Sequence, residues 1–105
     1  MVFYETFVVF SQKTATEGFR KVLHEMVKAV GRHQGTVLRV KDLGWRKLSF
    51  RVDKPTGCYH FGRFFYMSFG ASPGAPHEMS KLLQSQPAVL REVTMKLLPK
   101  RHLPL

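Results

Sequence analysis

The stretch from Val37 to Phe69, VLRVKDLGWRKLSFRVDKPTGCYHFGRFFYMSF, constrains the fold of this chain more than any other. Leu48, Phe50 and Val52 alternate with Lys47, Ser49 and Arg51, which is the period of a strand with one buried face. From Phe61 to Phe69 aromatic residues fall on both parities, so both faces of that strand need cover. Lys54-Pro55-Thr56-Gly57 has turn chemistry, and Cys58 to Phe61 is expected to extend the loop. Leu43-Gly44 marks a bulge or bend within the first strand. Two long antiparallel strands joined by a basic loop are the expectation. A small protein does not leave so large an apolar surface to water, so the rest of the chain, or a partner, must cover it.

The flanking segments supply part of that cover. Val2–Phe10 sets Tyr4, Thr6, Val8 and Phe10 against Phe3, Glu5, Phe7 and Val9; both sets are largely apolar, as in a central strand. Thr14 and Glu17 have capping-box spacing. Phe19, Val22, Leu23, Met26, Val27 and Val30 then form one helical stripe that ends near Arg32, with Gly35 suited to a left-handed stop. A second helix is expected over Pro76–Ser85, with Met79, Leu82 and Leu83 inward and Gln86-Pro87 beyond it. Val93, Met95 and Leu97 alternate in a last strand, Arg91–Leu98. The order βαββαβ predicts an α+β, ferredoxin-like domain over residues 1–98, a four-stranded antiparallel sheet with two helices on one face, and a short basic tail over 99–105. Tyr4, Val8, Phe65, Met67, Phe69, Val93 and Met95 are expected to meet the helices. Phe3, Phe7, Val9, Phe64 and Tyr66 would lie on the open face, which becomes the functional surface by elimination.

Charge narrows the partner. Seventeen Lys and Arg against seven Asp and Glu give a net charge of +10 over 105 residues. Such an excess favours a polyanion, because phosphate contacts release counterions and steer association. Seven of the cations (Arg39, Lys41, Arg46, Lys47, Arg51, Lys54 and Arg63) lie between Arg39 and Arg63, with Asp42 and Asp53 the only acids there. They either contact RNA or form a solvated hairpin whose charge discourages edge pairing. Phe3, Phe7, Phe64 and Tyr66 could seat a protein or stack bases. Trp45 either packs on the hairpin or meets a partner. Glu5, on a mostly apolar face, calls for a cation nearby. No run of about 18 apolar residues would span a membrane. No leader or Arg/Ser-rich presequence is visible, and a single cysteine, Cys58, fits a reducing compartment. Cys58 and His60 have two-ligand spacing without a second pair, and no nucleophile elbow surrounds any Ser, so no metal, cofactor or small-molecule substrate is expected.

In its motifs the chain resembles the bacterial-type family of small-subunit ribosomal protein six, which includes mitochondrial members. Tyr4-Glu5, Leu43-Gly44-x-Arg46-x-Leu48-x-Phe50, Lys54, the Gly62-anchored aromatic strand and Val89-Leu90-Arg91 match it, over nearly the whole chain. The resemblance implies a non-enzymatic constituent of the small ribosomal subunit that binds small-subunit rRNA together with ribosomal protein eighteen, among other subunit proteins. Carried onto this sequence, it implies polar RNA contacts at Arg46, Lys47, Lys54 and Arg91, to which the basic cluster adds Arg63. It implies a protein seat at Phe64 and Tyr66, joined on the same face by Phe3 and Phe7. The segment from Lys54 to Gly62 is longer than the usual bacterial pattern, the charge is more basic and a long acidic tail is missing. The last two incline the reading to a mitochondrial ribosome in the matrix, with the bacterial cytoplasm as the alternative.

Two other families share the element order. An RRM-like single-strand binder would need RNP-type glycine and aromatic spacing, which His60–Met67 does not reproduce. An acylphosphatase-like enzyme would need a glycine-rich phosphate cradle with an Arg after the first strand. Ser11–Thr16 has no glycine, and the first Arg is Arg20.

Overall fold

The computed structural model describes residues 2–11, 16–54 and 57–97. In chain order its elements are β1 (Val2–Ser11), α1 (Thr16–Arg32), β2 (Thr36–Lys54), β3 (Gly57–Ala71), α2 (Ala75–Gln84) and β4 (Val89–Lys96). The strands hydrogen-bond in the order β2-β3-β1-β4, with every neighbouring pair antiparallel. Thr14, Pro55, Thr56 and the tail 98–105 lie outside the described residues, and with them the capping box, the centre of the turn and the basic tail.

The four-stranded sheet is irregular along β2: its pairing with β3 runs from Thr36↔Gly70 to Lys47↔Phe61 and resumes only at Val52↔Tyr59. The expected bulge at Leu43-Gly44 is there. The register shifts between Asp42 and Gly44, Gly44 takes φ 84, and its N–H donates to Asp42 Oδ1 at 2.9 Å. Cys58–Phe61, expected as loop, is strand, because β3 already starts at Gly57.

Both helices lie on one face. Phe19, Val22, Met26, Ala29 and Val30 of α1 and Ala75, Met79 and Leu83 of α2 pack with Tyr4, Val8, Phe10, Phe65, Met67 and Phe69. Val27 is exposed and Ala29 buried, contrary to the expected stripe. At about 100° per residue, Val27 lies a full step from the stripe's centre at Met26, outside a face that Ala29 falls within. Leu82 is partly buried against the same core. β4 also differs from expectation. Val93 pairs with Phe7 and Met95 with Glu5, so both lie on the open face and are exposed. Their polar neighbours turn to the helix side instead. There Thr94 shares a hydrogen bond with Thr6 at 2.9 Å, and Glu92 accepts from Ser80 at 3.2 Å and from Gln84 at 3.3 Å. On an edge strand, polar residues with partners beneath the helix can displace the apolar set.

α1 ends in a Schellman motif. Gly35 N–H donates to Val30 O at 2.9 Å and Gln34 N–H to Gly31 O at 3.0 Å, with the left-handed position taken by Gln34 at φ 55. Gly35 is therefore required for another reason than its expected backbone freedom. A Cβ there would lie 2.3 Å from Gly70 O and 2.7 Å from Ala71 Cβ. Gly35→Ala is expected to lower stability by about 1–3 kcal/mol. Gly31→Ala, with nothing within 4 Å of the added carbon, should raise it by roughly 0.5–1 kcal/mol. Thermal melting of the two variants checks both signs.

Candidate functional site

Alternation along β1 and β3 builds the uncovered side of the sheet. Phe3, Glu5, Phe7 and Val9 of β1 stand beside Phe64 and Tyr66 of β3, through the pairs Phe7↔Tyr66 and Val9↔Phe64. Val93 and Met95 extend this face from β4. Neither helix reaches it, and Phe3, Val93 and Met95 are 46%, 51% and 44% exposed. The rings of Phe7 and Tyr66 are 5.1 Å apart in a tilted pair.

One acid interrupts the apolar surface. Glu5 is half-buried at its centre and accepts a hydrogen bond from the Tyr66 hydroxyl at 3.0 Å. Burial pushes the Tyr66 phenol above its ordinary value, and the bond to Glu5 and that carboxylate's charge raise it further; Ser68 and Arg39 pull the other way. The phenol therefore stays a donor at neutral pH, and Glu5 is turned into the face.

The two ends of this surface differ. Val9, expected on the open face, is buried with Leu90, Val52 and Tyr59, and Leu48 and Phe64 pack against them. Of the Leu48, Phe50 and Val52 set, the side chain of Phe50 lies outside the described residues. The far part of the β2–β3 hairpin thus supplies cover that no helix gives. Gly62 permits the approach, since a Cβ there would lie 2.4 Å from Val9 Cγ1. Between hairpin and β4 a recess of about 250 Å³ is lined by Val9, Leu48, Ser49, Phe64 and Arg91. At the other end Phe3, Phe7 and Tyr66 have no such cover.

Of the expected RNA contacts, Arg46 and Arg91 belong to the open side, through the pairs Arg46↔Gly62 and Val9↔Arg91. Lys54 reaches the same end, where it lines a second recess with Leu90 and Arg91. All three are exposed. Arg39 and Lys41, left out of the expected site, join them through Arg39↔Ser68 and Lys41↔Tyr66; only the register reveals which face they take. Lys47 and Arg63 are on the helix side. Arg63 is already engaged. Its Nε donates to Asp42 Oδ2 at 3.1 Å and its Nη2 to the same oxygen, while the guanidinium stacks over Phe19 at 4.8 Å and Phe65 at 5.4 Å. Among the described residues no three His, Cys, Asp or Glu side chains converge as a metal site.

The bond from Arg63 holds the Asp42 carboxyl below its ordinary value, with the Gly44 N–H and the guanidinium charge acting the same way against a smaller desolvation effect. A depressed carboxylate stabilises the fold above its unfolded pKa, and that contribution is lost as pH falls through the lower folded value. Asp42→Asn should accordingly melt below the parent at pH 7, and the gap should close as the solution is acidified past the ordinary carboxylate range. Paired melts across that range check the sign.

Comparison with known proteins converges on one family. The family model described as Ribosomal protein S6 matches residues 3–96. Small ribosomal subunit protein bS6 of Chlamydia pneumoniae is 27% identical over 93 residues, which are 89% of this chain and 80% of that protein. The corresponding protein of Lactobacillus acidophilus is 27% identical over 95 residues, 90% and 93% of the two chains. The solved structure of 30S ribosomal protein S6 from Thermotoga maritima superposes with a TM-score of 0.79 at 16% identity, covering 91% of this chain and 87% of that one. At that identity the likeness attests the fold.

Proposed function

The chain belongs to the ribosomal protein S6 family, structural and non-enzymatic constituents of the small ribosomal subunit, and on that premise we propose that its open sheet face seats ribosomal protein eighteen while the cations around it hold small-subunit rRNA. One observation carries the protein half of this reading. The exposed face is aromatic and apolar, with Glu5 at its centre held by Tyr66. A carboxylate there repels phosphate and disfavours a nucleic acid laid flat across the aromatics, as an RRM-like reading would require. A cationic protein side chain aimed at Glu5 would relieve its desolvation, and apolar neighbours would bury Phe3, Phe7, Val93 and Met95.

The RNA half rests on charge. Arg39, Lys41 and Arg46 line the β2 edge of the face, and Lys54 and Arg91 its far end, each exposed. Among the described residues no base-reading set of side chains accompanies them, so backbone and shape recognition is the mode. The finer assignment to a mitochondrial ribosome is supported by the net charge of +10. The relatives described above come from bacteria, and a bacterial ribosome is the alternative.

Two measurements test the halves separately. Phe3→Ala should weaken docking of purified ribosomal protein eighteen by about tenfold or more, with little change in melting temperature. Phe64→Ala should reduce both, because Phe64 also packs against the chain's second cluster. Unchanged docking by Phe3→Ala would remove the open face from the partner interface. For RNA, Arg46→Ala should lower the steepness of log affinity against log salt by roughly 0.7–0.9 per lost phosphate contact. An unchanged slope would mean Arg46 touches no phosphate.

A further inference from the structure

The helix side of the sheet has an uncovered strip of its own. α1 and α2 cover β1, β3 and β4 but leave the β2 margin, where Trp45 is 50% exposed and Phe61 48% exposed. Trp45 pairs with Arg63 and Lys47 with Phe61, so Trp45 and Phe61 are diagonal neighbours on this face. The indole is fixed from behind by an edge-on contact with Phe19, ring centres 6.3 Å apart. Phe19 and Arg63 form the floor of the strip, and neither Trp45 nor Phe61 belongs to the buried core.

The acid of this strip, Asp42, is met by a cation, Arg63, unlike Glu5 of the open face. Lys47 stands across from Phe61 and two positions along β2 from Trp45, with no ion pair among the described residues, and exposed Arg20 follows Phe19 in the chain. Two half-open aromatic rings with a lysine beside them suit a stacked base with its phosphate better than a protein surface. We propose that Trp45 and Phe61 form a platform on which an unpaired nucleotide of single-stranded RNA stacks, with Lys47 on the adjoining phosphate. This is a second RNA contact, on the side of the sheet away from the proposed protein seat, and it rests on the RNA-binding half of the function proposed above.

Trp45 is the only tryptophan, so its fluorescence reports on this site alone. The full chain is titrated with a single-stranded oligouridylate of about 12 nucleotides, and with RNA duplex of the same length. The single strand should quench Trp45 and the duplex should not. Trp45→Ala and Phe61→Ala should each weaken single-strand affinity by roughly fivefold or more while leaving its salt slope unchanged, since stacking displaces no counterions. Trp45→Phe should keep most of the affinity, and circular dichroism confirms that each variant is folded. Absence of quenching, or unchanged affinity in both alanine variants, overturns the platform. If Arg46→Ala still lowers the salt slope in that case, only the platform has failed; if it does not, RNA binding by this chain has failed as well. Burial of Trp45 by a subunit protein with no response to RNA would also overturn the proposal.

Discussion

Two helices of 17 and 10 residues can shield only one side of this sheet, and the rest of the molecule is shaped by that shortage. β1 is central, paired along its length with β3 and from Tyr4 to Phe10 with β4, so its side chains face two environments in alternation. Tyr4, Val8 and Phe10 enter the helix-covered core. Phe3, Glu5 and Phe7 point the other way. An apolar face without cover is a site of association, since burying it elsewhere is favourable at about 25 cal/mol for each Å² removed from water.

The chain answers the shortage once by itself. Beyond Lys47 the β2–β3 hairpin departs from regular pairing, and its far part closes over Val9 with Val52 and Tyr59, beside Leu90 of β4. That cover stops short of Phe3, Phe7 and Tyr66. The division is chemical as well as spatial: the self-covered end gathers Lys54 and Arg91, whereas the uncovered end holds Glu5. Arg39 and Lys41 of β2 border that uncovered end, so on the proposed reading the protein seat and the rRNA grip adjoin within one face.

Periodicity made much of this legible. The six elements and their order followed from the aromatic hairpin, the helical stripes and the turn residues, as did the central position of β1. The placing of Phe3, Phe7, Phe64 and Tyr66 on the open face followed from alternation. What failed depended on pairing that no single segment records. β4 reads equally well in either orientation, and only its register against β1 and the partners of Glu92 and Thr94 turn Val93 and Met95 outward. Arg63 looked like any other cation of the hairpin until its neighbour across the strands proved to be Asp42, 21 residues away. Gly35 was read as a conformational glycine, but the constraint is the closeness of Gly70, 35 positions on. Local chemistry was readable; contacts between distant segments were not.

The central claim is that an assembly neighbour, and not this chain, covers Phe3, Phe7, Tyr66, Val93 and Met95. Hydroxyl-radical footprinting read by mass spectrometry compares these side chains in the free protein and in the assembled small subunit. The account predicts strong labelling of Phe3 and Met95 in the free protein and protection of both in the subunit, with buried Met67 and Met79 weakly labelled throughout. Equal labelling of Phe3 and Met95 in the two states would contradict it.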